Sequence, residues 1–335
     1  MASHLRFWIL LYPDINRPIG GVKQLHRTAE LLQELNHDCT IVQEDQFFHP
    51  KWFHSSVNTM ARKTFLALTS LDPAFDFIIL AETFLPAVNS IFPDIKKIIF
   101  NQNSSYSFGL PGTRRVLSID QTIDLYASPQ ISQVWTVSLY DRDFLSTCIG
   151  FPTERLHLIA NGLDRNYSSF HSTSKFKQIV YMPRKNSSDS EILIRLLGRH
   201  PSLTGWEILP IQNCTHDEVI SIFARSLIFL SFGHPEGFGL PVAEAMACGC
   251  SVVGYSGLGG RELFQSKLAL STSVNLEYGD LCGFFDGIFR IQSLLLNSKK
   301  KFLSDLQLHA TDVRCRYSQE AMMLSIRNAI SRLEK

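Results

Sequence analysis

The sequence predicts an α/β protein made of two Rossmann-like domains in tandem. Three observations carry this. Short apolar runs alternate with helical patterns along the chain, and strands alternating with helices imply parallel sheets covered on both faces. A polar, Ser-rich, aperiodic stretch over 165–174 interrupts the alternation and reads as a linker. At 335 residues the chain is long enough for two domains, each burying its own core.

The elements follow in order. The first half predicts strands over 6–12, 39–43, 76–81, 97–101, 133–138 and 156–160. A helix is expected over 22–35, where leucines recur at Leu25, Leu31, Leu32 and Leu35. The second half predicts strands over 178–182, 206–211, 227–232 and 251–254, and helices over 188–199, 216–225 and 241–247. A last amphipathic helix is expected over 319–333. The domains are therefore drawn at 1–165 and 175–316, with 317–335 as a terminal helix.

Composition narrows the class. The chain is 45% hydrophobic and 19% charged, as in ordinary soluble enzymes. A formal net charge of +1 argues against nucleic acid as a partner, because gripping a phosphate backbone needs a clear basic excess. Seven cysteines stand at Cys39, Cys148, Cys214, Cys248, Cys250, Cys282 and Cys315, with no Cys-x-x-Cys pair. That pattern fits free thiols in a reducing cytoplasm better than disulfides or zinc, and Cys248 and Cys250 read as packing residues. The apolar stretch 7–11 is too short for a leader or a membrane span and reads as the first buried strand.

The most informative segment runs from His234 to Gly249, His-Pro-Glu-Gly-Phe-Gly-Leu-Pro-Val-Ala-Glu-Ala-Met-Ala-Cys-Gly. It follows an apolar run, 227–232, that reads as a buried strand. Gly237 and Gly239 let the backbone approach a ligand closely. Pro241 suits a first helical position. The N–H groups of that helix start, with the positive end of its dipole, suit a phosphate. Glu236 in the loop and Glu244 in the opening helical turn can accept hydrogen bonds from sugar and ribose hydroxyls. An anion cradle beside hydroxyl acceptors suits a nucleotide-sugar. The competing reading is a tight turn with Glu244 solvated, and it does not account for all these residues together.

This segment closely resembles the signature of glycosyltransferase family 4, the retaining, glycogen-synthase-like group 1 enzymes with the GT-B fold. The resemblance implies two Rossmann-like domains with parallel sheets facing a central cleft. It implies an N-terminal acceptor domain, a C-terminal donor domain and a last helix that crosses back to the first domain. Ile159-Ala160-Asn161-Gly162-Leu163-Asp164 resembles the family's Pro-Asn-Gly-Val-Asp and serves as a boundary marker.

Ligands of open parallel sheets bind beyond the carboxyl ends of strands, so the loops there are the next place to read. Gly20 and Gly21 match the family's first-domain glycine loop, which approaches the donor phosphate. The family has an Arg after the first strand of the second domain and a Lys five residues later. This chain supplies Arg184, but the later position is Asp189, and Lys185 is the candidate substitute. Both cations would neutralise a leaving diphosphate. Leu209 to Asn213 corresponds to a base-pocket region, where a plain strand end is an equal reading. Many relatives carry a His that touches the transferred sugar, where this chain has Asn101, Gln102 and Asn103. These amides can donate to hydroxyls but cannot act as a base. Glu82 and Ser138 are further acceptor-side candidates, with a solvated loop glutamate as the competing reading for Glu82.

Asp141-Arg142-Asp143 spells the metal motif of the other large glycosyltransferase fold, but it sits at an expected helix start where acids are favoured. No metal and no cofactor are therefore expected, the nucleotide-sugar being a substrate. His26, His37, His216 and His234 read as structural, with His234 bordering the donor. Lys51-Trp52-Phe53, Arg62-Lys63 and Arg114-Arg115 suggest a basic, aromatic face for peripheral membrane contact, against which stands a simple solvated face.

The expected activity is transfer of a hexosyl or deoxyhexosyl group from a nucleotide-sugar to a hydroxyl of a glycan or lipid-linked acceptor. The anomeric configuration is expected to be retained, in polysaccharide or glycoconjugate synthesis in the cytoplasm, with the inner face of a membrane as one setting. Catalysis is expected from Glu236, Arg184 and Lys185. Donor binding is expected from Gly20, Gly21, Gly237, Phe238, Gly239, Leu240 and Glu244. Two alternatives stand beside this: a nucleotide-sugar epimerase on the same fold, and a degenerate transferase serving as a binding or scaffold protein.

Overall fold

The computed structural model describes residues 4–12, 14, 16–109, 113–168 and 175–333. It divides into two compact units, residues 1–162 with 320–335 and residues 163–319.

Unit 1 is built on a seven-stranded sheet of β1 (Arg6–Leu10), β2 (Asp38–Gln43), β3 (Asn58–Ala61), β4 (Asp76–Ala81), β5 (Lys96–Asn101), β6 (Ile131–Thr136) and β7 (Leu156–Leu158). Their order is β3-β2-β1-β4-β5-β6-β7 and every pairing is parallel. The helices are α1 (Gly20–Glu34), α2 (Arg62–Leu66), α3 (Ile119–Tyr126), α4 (Leu139–Phe144) and, returning from the end of the chain, α11 (Gln319–Ile330). β4 shows why the sheet forms: all six residues of Asp-Phe-Ile-Ile-Leu-Ala are buried, as a strand covered on both faces requires. Its one acid, Asp76, is satisfied by Arg6 Nη2 at 2.6 Å, Trp8 Nε1 at 2.9 Å and the Asp72 N–H at 2.6 Å. The core gathers Leu10, Val42, Ile78, Leu80, Ile99 and Val134. α11 is tied to this unit where Gln133 Nε2 donates to Ala329 O at 3.0 Å and Ser325 Oγ accepts from Ala160 N at 3.2 Å.

Unit 2 holds a five-stranded parallel sheet of β8 (Phe176–Tyr181), β9 (Glu207–Pro210), β10 (Ser226–Ser231), β11 (Ser251–Tyr255) and β12 (Val274–Leu276), in the order β12-β11-β10-β8-β9. Its helices are α5 (Ser187–Leu197), α6 (His216–Arg225), α7 (Leu240–Ala247), α8 (Lys267–Thr272), α9 (Leu281–Asn297) and α10 (Lys299–Arg316). Ile179, Ile228, Leu230 and Val253 of the strands pack with Leu193, Phe284 and Ile288 of the helices.

The expected pair of parallel α/β sheets is present, and each predicted strand is found with its ends shifted by no more than two residues. The edge strands β3 and β12 and the helices α2, α3, α8, α9 and α10 have no counterpart in the sequence expectation. β3 and β12 are only four and three residues long and not fully buried, so they lack an apolar run. Of the expected linker, 165–168 forms one short 3-10 turn, and 169–174 lie outside the described residues.

Candidate functional site

The loop from β10 to α7 is held by backbone pairing rather than by side chains. Glu236 N–H donates to Gly257 O at 2.7 Å, and Glu236 O accepts from Gly259 N at 3.1 Å. The backbones lie so close that a Cβ on Gly259 would fall 1.7 Å from Gly237 O, and one on Gly257 would fall 2.5 Å from Glu236 Cβ. Between those glycines, Leu258 takes φ 79° and ψ −67°, a strained γ-turn opposite Glu236. The Glu236 carboxylate is thereby fixed at its root while its tip remains partly open to solvent. Oε1 pairs with Lys185 Nζ at 3.0 Å, with the side chains 23% and 35% exposed.

Gly239 occupies the N-cap of α7 at φ 82°, ψ 57°, a conformation that favours glycine. Leu240 is the first helical residue and Pro241 the second, one place later than expected. Glu244 lies a full turn into α7 rather than in its opening turn, and it is half-buried. Gly237 and Phe238 are buried, and the Phe238 ring packs on Tyr317 at 4.9 Å.

α5 starts beside this loop. Its N-cap, Asn186, adopts a left-handed conformation and sends Nδ2 to Phe232 O at 2.6 Å and His234 O at 3.2 Å. Arg184 is exposed in the turn just before it. Asp189, at the position where the resemblance implies a lysine, sits in the first turn and accepts from Tyr255 Oη at 2.9 Å. Burial, then this hydrogen bond, pushes the Tyr255 hydroxyl up to about 12. His234 stacks on Tyr278 at 4.4 Å, and burial lowers its pKa.

The helices that begin at these loops share a trait, though not with each other alone. α3, α4, α6, α8 and α9 are capped by the side chains of Ser118, Ser138, Thr215, Ser266 and Asp280. α1, α5 and α7 begin at the expected donor loops, after β1, β8 and β10, and no side chain among the described residues caps them. α2 and α10 also lack a side-chain cap. An uncapped start leaves the dipole end open to an anion.

In unit 1, Gly20 and Gly21 are the first two residues of α1. Gln102 closes over them, with Nε2 donating to Gly21 O at 2.9 Å, and a Cβ on Gly21 would fall 2.3 Å from Gln102 Oε1. The Gln102 N–H in turn donates to Glu82 Oε2 at 2.9 Å. Glu82 is 1% exposed, not a solvated loop residue. Burial pushes its carboxyl up to about 8, against the opposing pull of backbone N–H donors that include Gln102 and Asn103.

The other acceptor-side candidates are buried too. Asn101 donates to Tyr126 Oη at 2.9 Å and Ser107 Oγ at 3.2 Å, and accepts from Ser104 Oγ. Asn103 caps the turn 104–108 through Ser105 N. Ser138 caps α4, accepting from Asp141 N at 3.1 Å and donating to Asp141 Oδ2 at 2.9 Å. Asp141 Oδ1 takes the Ser104 N–H at 2.9 Å, so the Asp-Arg-Asp motif serves the helix start. Gln102 alone of the five candidates is half-exposed.

Among the described residues, no group of three or more His, Cys, Asp or Glu is placed to hold a metal, and no helix is long and apolar enough to cross a membrane. Part of the basic, aromatic group is engaged internally. Arg62 pairs with Glu44 at 2.6 Å and donates to Leu11 O at 2.7 Å, while Phe53 packs on Trp52 and His26. Lys51, Lys63, Arg114 and Arg115 are exposed.

Residues 207–269 match the family model of the glycosyl transferases group 1. An alpha-1,6-glucosyltransferase of Actinobacillus pleuropneumoniae serotype 7 (strain AP76) is 36% identical over 81 residues, a match that spans 24% of this chain and 24% of that relative. Among solved structures, HepE of Anabaena, in complex with UDP and glucose, aligns with a TM-score of 0.67 at 14% identity, covering 98% of this chain and 100% of that one. Sucrose-phosphate synthase from Thermosynechococcus elongatus aligns with a TM-score of 0.68 at 12% identity, covering 98% and 99%. The architecture is that of GT-B glycosyltransferases.

Proposed function

We propose that this chain, a GT-B-fold protein with a group 1 glycosyl transferase segment over 207–269, moves a sugar from a nucleoside-diphosphate donor to an acceptor hydroxyl with retention of configuration. The observation that carries the reading is the pairing of a half-exposed Glu236–Lys185 ion pair with the uncapped starts of α5 and α7 beside it. An open helix start binds a diphosphate through N–H groups and dipole, and it stabilises the charge that develops as the bond to the sugar breaks. Lys185 and Arg184 add mobile positive charge. Glu236, fixed by its glycine-packed backbone, holds sugar hydroxyls. Glu244 holds the ribose. In unit 1, the start of α1 offers the same anion-binding chemistry, and Gln102 offers an amide to sugar hydroxyls.

No protein nucleophile is assigned, because Glu236 is engaged with Lys185 and Glu82 is buried. The leaving phosphate oxygen takes the acceptor proton on the face that the donor leaves. The sugar is a hexosyl or deoxyhexosyl group, the acceptor is a glycan or a lipid-linked glycan, and neither metal nor cofactor takes part. The exposed Lys51, Lys63, Arg114 and Arg115 suit contact with an anionic membrane surface.

The test is a thermal-shift panel of UDP-, GDP-, ADP- and dTDP-sugars on the purified protein. One base should raise Tm by several degrees, since ligand binding stabilises the native state by mass action. Following a labelled sugar then separates transfer to an acceptor from epimerisation. A panel in which no donor raises Tm refutes the reading.

A further inference from the structure

We propose that Tyr317 is a positioning residue for the loop 236–239, and that its ring sets the direction of the N–H groups at the start of α7. The inference deepens the reading of that helix start as the holder of the donor diphosphate and rests on it.

The need for a brace lies in the loop's own sequence. Phe238 stands between Gly237 and Gly239. Glycine restricts its backbone angles least of all residues, so a Gly-Phe-Gly segment has little stiffness of its own. Its peptide planes, and the N–H groups they carry, are held by contacts from outside. One contact is backbone on backbone: a Cβ on Gly260 would fall 2.7 Å from Phe238 O. A second is made by the Phe238 side chain, which is 4% exposed and meets the ring of Tyr317 at 4.9 Å and 60°. A shift of that ring turns the peptide groups on either side of Phe238, and with them the direction in which the helix start points.

Tyr317 is itself held at both ends. It closes α10 as its C-cap and is 5% exposed. Its backbone carbonyl accepts from Leu163 N at 2.8 Å. Arg316 Nη2 lies 2.7 Å from the Tyr317 hydroxyl, and a guanidinium only donates. The hydroxyl hydrogen therefore goes to Glu262 Oε1, at 2.9 Å. Glu262 lies in the 3-10 turn Gly259–Phe264, the same turn whose glycines press on the backbone of 236–238. One side chain thus grips the loop twice, by its ring on Phe238 and by its hydroxyl on the turn behind.

The decisive experiment compares ligands as well as proteins. Calorimetry on wild type, Tyr317→Leu and Tyr317→Phe sets each of UDP, GDP, ADP and dTDP against its monophosphate. For the base that wild type binds, the diphosphate should be preferred by roughly 10- to 100-fold, the range for hydrogen bonds to a charged group. Tyr317→Leu should narrow that ratio to about 3-fold or less, by weakening the diphosphate. Tyr317→Phe keeps the ring and should hold the ratio within about 3-fold of wild type. A merely structural role would leave the ratio unchanged in Tyr317→Leu, and that result overturns the proposal. So does a Tyr317→Phe protein whose ratio is no better than that of Tyr317→Leu. If Tyr317→Leu does not fold, Phe238→Leu removes the ring contact from the other side, and an unchanged ratio there overturns the proposal equally. A wild type indifferent to the second phosphate refutes the reading of the helix start, and the inference with it. A wild type that binds no nucleoside diphosphate refutes the donor reading itself.

Discussion

The ends of the strands in the two units are built on opposite plans. In unit 2 the polar groups reach outward: Glu236 and Lys185 are both partly exposed, and Arg184 is exposed. In unit 1 the polar groups turn inward: Glu82, Asn101, Asn103 and Ser138 are buried and bonded to neighbours, leaving Gln102 at the surface. One plan leaves polar groups open to solvent, and the other spends them on holding loops. A polar residue at the carboxyl end of a strand is therefore a site candidate only if its partners leave capacity unused.

Four experiments sharpen or break this contrast. The largest effect belongs to Glu82. Its folded pKa of about 8 lies above the ordinary 4.5, so the native state holds a proton that the unfolded chain releases between those values. Stability should therefore fall as pH rises through that window. Glu82→Gln keeps an accepting oxygen and never ionises. Urea titrations should show the variant gaining ~4 kcal/mol on wild type between about pH 5 and pH 8. Parallel pH dependence in the two proteins would mean that Glu82 is already ionised.

Glu236→Ala should lower transfer by roughly 10²- to 10³-fold, or about 3–4 kcal/mol of transition-state stabilisation, with the fold intact by circular dichroism. Near-normal turnover would move the chemistry away from unit 2. Gly259→Ala, whose Cβ would strike Gly237 O, should cost about 3 kcal/mol in denaturant titrations. Gly205→Ala has a positive φ but open space around it and should cost about 1 kcal/mol. Equal costs would show that the β10–α7 loop yields. The smallest contrast is within one loop. Asn101→Ala should lose about 1–2 kcal/mol of stability while keeping turnover per folded molecule, and Gln102→Ala should do the reverse.

The sequence made the sheets legible because runs such as Phe-Ile-Ile-Leu in β4 admit few other readings. It hid α10, where charged residues dominate and its buried Phe302, Leu306, His309, Ala310 and Val313 make only a broken stripe. The glycine-rich loop was legible because its residue types state their own backbone needs. Partners distant along the chain were not. Nothing near Glu82 in sequence announces that the loop after β5 will fold its N–H groups onto it. Asp189 meets Tyr255 across 66 positions, and Tyr167 meets His216 across 49. Those contacts are properties of the sheet order and have no local pattern.

Asp189 has one more consequence. Its carboxylate is tied to Tyr255 at the position where the family resemblance implies a lysine, so on the proposed function the surroundings of the donor pyrophosphate are two charges more negative at that point. Fixed peptide dipoles at close range then carry a larger share of the attraction, beside Arg184 and Lys185. Such short contacts are screened by dissolved ions far less than a pair of floating lysines would be. On the proposed function, donor affinity should accordingly fall less steeply as the buffer moves from dilute to brackish than it would in a variant with a lysine at position 189.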